Sequence, residues 1–99
     1  MKTVGNIEIG QYVRSKAGRD KNHIFIVNEV IDHEYVMVVD GDVRRIEKPK
    51  RKKCKHLFEY NQISEVVCEK IRDGKKITNL MIRKEIDKFD LSQIKVGGF

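Results

Sequence analysis

The sequence has few cysteines, few prolines and few aromatic residues. It contains no tryptophan, one proline and two cysteines, with three tyrosines and four phenylalanines among 99 residues. No apolar run approaches the roughly 20 residues of a membrane-spanning helix, and the first five residues lack the apolar block of a secretory signal. We therefore expect one small cytoplasmic protein without a disulfide.

Cysteine and histidine do not form a recognisable zinc motif. Cys54 and His56 lie two residues apart and Cys68 lies fourteen residues after Cys54, which leaves three candidate ligands without a fourth. A structural zinc site normally uses four ligands, often in paired short motifs. We expect no metal and no cofactor, and we assign Cys68 to the core or its boundary because it falls in an apolar helical pattern.

Catalytic signatures are also missing. The sequence has no GxxxxGK[ST] phosphate loop and no arrangement of serine, histidine and acid with a recognised local pattern. The acidic residues between positions 32 and 42 stand in predicted polar turns, where water keeps a carboxylate ionised. The sequence predicts a binding protein and not an enzyme.

Positive charge is concentrated in twelve residues. The chain has a net charge of +6, but residues 44–55 hold eight Lys or Arg against Glu47 alone, a net charge of +7. Such a block repels itself and is typical of a surface that binds a polyanion. A solvated loop without a partner is the alternative. Attachment to an anionic membrane surface is disfavoured, because no amphipathic helix adjoins the block and Pro49 interrupts it.

The first sixty residues have the pattern of short strands joined by tight turns, which favours a small closed barrel. The predicted strands span residues 11–15, 23–31, 35–39, 43–46 and 54–58. The second strand is apolar on both sides, so one side should face a barrel interior and the other should be covered, for example by the helices that follow. Its two faces are Ile24, Ile26 and Val30, and Phe25, Val27 and Ile31.

After residue 60 the apolar residues recur at helical spacing. Ser64 is placed to cap a helix that runs to about Arg72, and Gly74 is placed to end it. Thr78 or Asn79 caps a second helix to about residue 88, followed by a loose tail over residues 91–99. The apolar face of the second helix consists of Ile82, Ile86 and Phe89. The chain is therefore predicted to be mainly β with α, with a barrel over residues 1–60 and a helical extension over residues 61–99.

A basic glycine turn joins the first two predicted strands. It reads Lys16-Ala17-Gly18-Arg19-Asp20-Lys21, with three cations at its tip. Glycine adopts positive φ at little cost, so Gly18 allows a sharp bend that brings the backbone and the cations close to a phosphate. The simpler interpretation is that Arg19 and Asp20 only stabilise the turn.

Three blocks of residues, in order, resemble the KOW family. Residues 13–21, closing on Val39-Asp40-Gly41, are similar to a KOW motif, and residues 31–41 and 51–57 extend the similarity. Over about residues 8–58 the sequence resembles the KOW-domain RNA-binding proteins of the large ribosomal subunit, especially the eukaryotic and archaeal fourteenth large-subunit protein and its short bacterial relatives. The resemblance implies an SH3-like β-barrel that binds large-subunit ribosomal RNA, as a ribosomal protein or a ribosome-associated factor. Residues 60–99 have no clear counterpart in that family.

The resemblance also implies which residues contact RNA, because family members use this loop and the basic strand ends. Carried over by position, it implicates Lys16, Gly18, Arg19, Lys21, Arg51, Lys52, Lys53, Lys55 and His56. The charge of the block adds Arg44, Arg45, Lys48 and Lys50. Adjacent residues of a strand point to opposite faces, so we expect one of Arg44 and Arg45 to bind phosphate and the other to form an ion pair.

Aromatic side chains can stack on bases, but a barrel this small needs them in its core. We assign Tyr12, Phe25, Tyr35 and Phe58 to the core, which limits base readout. Recognition would then rest on phosphates and on the shape of a folded RNA.

Two other functions fit the sequence. One is a non-ribosomal nucleic-acid-binding factor, such as a transcription-elongation or RNA-chaperone module, whose helices bind a protein partner. The other is an SH3-like protein-interaction module that binds a peptide in an aromatic-lined groove. We expect the protein to be monomeric when no RNA is bound.

Overall fold

The β-branched runs of the sequence form a sheet, and the two helical patterns pack against it. The computed structural model describes residues 7–97, with side chains described for residues 7–90. The strands are β1 (Gln11–Ser15), β2 (Ile24–Val30), β3 (Tyr35–Val39), β4 (Lys50–Lys53) and β5 (Leu57–Ile63). A 3-10 turn, Cys54–His56, separates β4 from β5, and the helices are α1 (Glu65–Arg72) and α2 (Asn79–Gly97).

The five strands form one antiparallel sheet in the order β4-β3-β2-β1-β5. The two edge strands, β4 and β5, follow one another in the chain and are joined only by the 3-10 turn. This is the small, mainly β architecture with C-terminal helices that the sequence predicts. The strands predicted at residues 11–15 and 35–39 are confirmed to the residue.

Apolar clusters lie on both faces of the sheet. The inner cluster consists of Ile7, Val13, Phe25, Val27, Val36, Val38, Cys54 and Leu57. The outer cluster joins the sheet to the helices and consists of Tyr12, Ile26, Val39, Val67, Ile82 and Phe89. Each large side chain buried in this way stabilises the fold by about 1.5–3 kcal/mol. The prediction that β2 is covered on both sides, on one of them by the helices, is confirmed.

The end of β2 departs from the predicted alternation. Its pairing with β3 shifts by one residue around Asn28, which is the signature of a bulge. Beyond a bulge the alternation of side chains is reversed. Val30 therefore pairs with Val36 of the inner cluster and does not lie on the face that carries Ile24 and Ile26. Ile31 lies beyond the strand and is exposed. The faces predicted for Val30 and Ile31 are therefore wrong.

The strand predicted over residues 43–46 does not form. The Asp40 carboxylate accepts hydrogen bonds from the backbone N–H groups of Asp42 (2.9 Å) and Arg44 (2.8 Å), which folds residues 41–44 into a turn. These N–H groups bond a side chain instead of a neighbouring strand, as aspartate often arranges in turns. The fourth strand is Lys50–Lys53, inside the basic block.

Two further boundaries also differ from the prediction. Residues 54–56 form the 3-10 turn, so the last strand begins at Leu57 and runs to Ile63 instead of spanning residues 54–58. The predicted barrel limit at residue 60 thus falls within β5. The second helix continues to Gly97, so residues 91–97 are helical and the predicted loose tail is wrong over that range. Residues 98 and 99 lie outside the described residues.

The helix caps form as the local sequence predicts. Ser64 Oγ accepts from the Val67 N–H at 3.3 Å, Thr78 Oγ1 accepts from the Met81 N–H at 3.1 Å, and Gly74 follows α1 with φ of +71°. Neither helix, over the residues that the structure describes, is long and apolar enough to cross a bilayer.

Candidate nucleic-acid interface

Within the connection between β1 and β2, residues 16–22 form a defined turn that we call the glycine loop. Gly18 (φ +78°) and Asn22 (φ +72°) both have positive φ, and Lys21 N–H donates to the Gly18 carbonyl at 3.2 Å. Open space surrounds Gly18, so its backbone is accessible to a partner. Around this turn the side chains of Lys16, Arg19 and Lys21 are exposed. The glycine loop therefore holds three cations on an ordered backbone.

Asp20 connects the glycine loop to residues 44–55, which we call the basic segment. Its Oδ2 lies 3.4 Å from Arg44 Nη2 and 3.4 Å from Lys52 Nζ, and the Asp20 side chain is only 13% exposed. Lys52 Nζ also donates to Ser15 Oγ at 3.4 Å. The two basic elements, distant in sequence, are thus fixed side by side. Arg44 and Lys52 both pair with Asp20 in this network, and the RNA contact predicted for them stays a prediction.

Arg44 and Arg45 have different environments, but they do not lie on a strand. Both lie in the turn region that precedes β4, so the predicted alternation on a strand is wrong. Arg44 is half-buried against Asp20, and Arg45 is exposed. Arg44 is therefore the arginine with the predicted ion pair, and phosphate binding by Arg45 stays a prediction.

The titration of Asp20 reflects this network. Burial of the carboxyl raises its pKa, but the charges of Arg44 and Lys52 and their hydrogen bonds outweigh burial, so the pKa of Asp20 is lowered from its ordinary value. A lowered folded-state pKa contributes stability that is complete above the unfolded pKa, about 4, and is lost as the pH falls through the folded value.

We expect Asp20→Asn to destabilise the protein at pH 7 by about 1–2 kcal/mol, because Arg44 and Lys52 are left close together without their counter-charge. The difference from the native protein should begin to shrink below about pH 4, where Asp20 of the unfolded chain takes up a proton, and should vanish below the lowered pKa of the folded protein. Urea unfolding at pH 7 and pH 3 measures both effects. Replacement of the exposed Asp90 by Asn is the matched control. A loss of stability that does not change with pH would contradict this role.

The side chains of β4 point alternately to the two faces of the sheet. Lys50 and Lys52 pair with Val38 and Val36 of the inner cluster and are half-buried. Arg51 and Lys53 lie on the outer face around Tyr35. The guanidinium carbon of Arg51 is 4.9 Å from the centre of the Tyr35 ring, and Lys53 Nζ is 5.9 Å from it. The basic segment therefore presents cations in two directions.

The remaining predicted RNA-binding residues are exposed. Arg45 and Lys48 lie in the turn region before β4, and Lys55 and His56 lie in the 3-10 turn. The Lys16 N–H donates to the His56 carbonyl at 2.8 Å, so the 3-10 turn and the glycine loop are in direct contact. The glycine loop therefore contacts the basic segment through Asp20 and the 3-10 turn through Lys16.

Next to the glycine loop the surface becomes acidic. His23 Nε2 lies 3.0 Å from Asp40 Oδ2, at a groove of about 360 Å³. The other charged side chains that line the groove are Asp42, Arg83, Asp87 and Asp90. Four carboxylates against one guanidinium repel a phosphate backbone. The groove therefore limits the candidate interface on this side.

The four aromatic residues assigned to the core separate into two pairs. Tyr12 and Phe25 are buried, as predicted. Tyr35 is half-buried and Phe58 is 43% exposed, and each lies under an arginine. The assignment of Phe58 to the core is wrong, because β5 turns this side chain outward at the edge of the sheet.

Sequence reasoning missed Arg14. It precedes the glycine loop on β1, its guanidinium carbon lies 5.1 Å from the centre of the Phe58 ring, and its Nη1 donates to Asn22 Oδ1 at 3.3 Å. The available signal was the alternation of β1. Val13 and Ser15 are both buried, so the residue between them faces the other way.

Histidine, cysteine and acidic side chains are the remaining candidates for metal or thiol chemistry among the residues that the structure describes. No three of the histidine, cysteine and acidic side chains there are placed to hold a metal ion. Cys54 is buried, and burial, followed by the charges of Glu59 and Asp32, raises the pKa of its thiol. A thiol in this state is a poor nucleophile at neutral pH.

No protein-family model matches the sequence, and no curated protein matches it significantly. The likeness to KOW-domain proteins therefore rests on the residues quoted above.

Proposed function

We propose that this protein is a cytoplasmic RNA-binding protein that holds a structured RNA by its phosphates. The observation that carries the proposal is the double ion pair of Asp20 with Arg44 and Lys52, because it fixes the glycine loop beside the basic segment. Exposed cations from two separate stretches of sequence then lie on neighbouring elements of the fold. Such an arrangement suits a polyanion with regularly spaced charges.

Residues within the interface have two roles in this proposal. The phosphate ligands are the exposed cations Lys16, Arg19, Lys21, Arg45, Lys48, Lys55 and His56, and Arg51 and Lys53 extend the positive charge to the other face of β4. Arg44 and Lys52 position the loop instead of contacting RNA, since Asp20 occupies both. Gly18 allows the loop to approach the RNA backbone closely.

Large-subunit ribosomal RNA is the proposed target, and the KOW-like blocks over residues 8–58 support it. Crosslinking in cells followed by sequencing of the attached RNA tests this directly. We expect enrichment of large-subunit ribosomal RNA over the RNA recovered with a variant in which Lys16, Arg19 and Lys21 are glutamine. Equal recovery of unrelated RNAs by both proteins would contradict the proposal.

A non-ribosomal RNA-binding factor is the second candidate, and the C-terminal helices favour it. They bury Val67, Ile82 and Phe89 against the sheet as part of the fold, in a region without a counterpart in the resembled family. Sedimentation of a cell extract separates the two candidates. Protein that stays with large subunits through a high-salt wash supports the ribosomal role, and protein found only in light fractions supports the second.

A further inference from the structure

Phe58 is an exposed apolar side chain that Arg14 links to the glycine loop. It is 43% exposed on the edge strand β5, two residues after His56, whose carbonyl bonds the glycine loop. A phenyl ring has no polar atom that water can satisfy, so an exposed and ordered ring gains free energy when a flat apolar partner covers it. A flat apolar group of a ligand could therefore cover the Phe58 ring.

Other aromatic rings hold Phe58 in place. Its ring meets Tyr60 edge to face with 5.0 Å between centroids, and Tyr60 meets Phe89 in the same way at 4.8 Å. Phe89 stacks on Tyr12 at 4.2 Å in the buried outer cluster. The chain of rings connects the exposed ring to the core. A side chain ordered in advance loses little entropy on binding.

Arg14 provides a second planar group at the same place. Its guanidinium lies over the Phe58 ring, and its Nη1 bonds Asn22 at the end of the glycine loop. Bases that leave the helical stack pack on aromatic rings and on arginine planes. The guanidinium therefore widens the stacking surface, and its charge favours the phosphate that accompanies the base.

We propose that Phe58 and Arg14 bind an unpaired nucleobase while Lys16 and its neighbours in the glycine loop bind the adjoining phosphates. The inference rests on the proposed RNA-binding function and refines it. The favoured RNA contains a nucleotide that has left the stack, such as a bulge or loop, and is not a continuous duplex. An apolar peptide side chain is the competing occupant of the same ring.

Two RNA hairpins with equal numbers of phosphates test the proposal. One is fully paired, and the other carries a single-nucleotide bulge occupied by the fluorescent base 2-aminopurine. The intact protein should bind the bulged hairpin about tenfold more tightly than the paired one, given the usual strength of stacking on an aromatic ring. The fluorescence of the bulged base should fall on binding. Phe58→Leu should abolish the preference and the fluorescence change, and Phe58→Trp should retain both.

The controls separate this inference from the proposed function. Val66→Ala alters another exposed apolar residue, on α1, and should leave the preference unchanged. Thermal unfolding shows that each variant is folded, and Phe58→Leu keeps an apolar side chain for that reason. Salt-sensitive binding of both hairpins with equal affinity would overturn the stacking site alone, as would a preference that survives Phe58→Leu. Failure to bind either hairpin would overturn the proposed function together with the inference.

Discussion

Replacing Lys16, Arg19 and Lys21 together by glutamine is expected to lower the affinity for a structured ribosomal RNA on the order of 100-fold in about 0.1 M salt. All three side chains are exposed on the glycine loop, so their removal takes away phosphate contacts and leaves the core intact. The slope of log affinity against log salt should also become shallower by about two to three units, roughly one for each lost contact. Filter binding over a range of salt concentrations measures both quantities.

A matched variant distinguishes the surface from the overall charge. Arg72, Lys75 and Lys76 are equally exposed, and they lie between and at the ends of the helices instead of on the glycine loop. Their replacement by glutamine removes the same three charges, yet it should change the affinity only by about threefold or less, because distant exposed charges are screened. An equal loss in the two triple variants would mean that net charge, and not the glycine loop, drives binding.

Gly41→Ala is expected to destabilise the fold by about 3 kcal/mol, combining the cost of positive φ with that of overpacking. Gly41 has φ of +79° in the turn after β3. A Cβ atom there would overlap the Asn79 carbonyl oxygen and would lie 2.9 Å from Arg83 Cγ and 3.2 Å from the Arg83 backbone nitrogen. The first turn of α2 would have to move. Urea unfolding provides the measurement.

Gly74→Ala is the control for the contribution of the dihedral angle. Gly74 has φ of +71°, but nothing lies within 4 Å of the place where its Cβ would be. We expect a cost of about 1 kcal/mol there, from backbone strain alone. Similar losses of stability in Gly41→Ala and Gly74→Ala would contradict a steric cost from the close approach of α2 to Gly41.

Local patterns predicted much of the fold. The strands at residues 11–15 and 35–39 follow from short runs of β-branched and aromatic residues next to turns, and the ends of α1 follow from Ser64 and Gly74. These features depend on chemistry within a few residues, which a sequence displays directly. The apolar cover on both faces of β2 also followed from its composition.

The misplaced fourth strand has a physical cause. Residues 43–46 have an ordinary turn-and-strand pattern, but the Asp40 carboxylate takes the N–H groups that a ladder would need. Lys50–Lys53 has four consecutive cations and low intrinsic strand preference, so it resembles a solvated loop. It forms a strand because β3 offers it an unpaired edge, and edge strands commonly carry lysine that discourages further pairing.

The candidate site was predictable in composition but not in arrangement. Glycine and cation spacing identified the glycine loop, and charge density identified the basic segment. The ion pairs of Asp20 join residues 24 and 32 positions apart, and the contact of Arg14 with Phe58 spans 44 positions. Contacts at such separations depend on strand register, which the sequence did not specify around β4 and β5. For this reason the ion pair of Lys52 with Asp20 was not foreseen and Arg14 was overlooked.

A salt titration of the intact protein with a structured ribosomal RNA tests the central claim most directly. If about six phosphates are neutralised, log affinity should fall against log salt with a slope of roughly −4 to −5. Binding that is flat across the titration, or undetectable at low salt, would contradict the account.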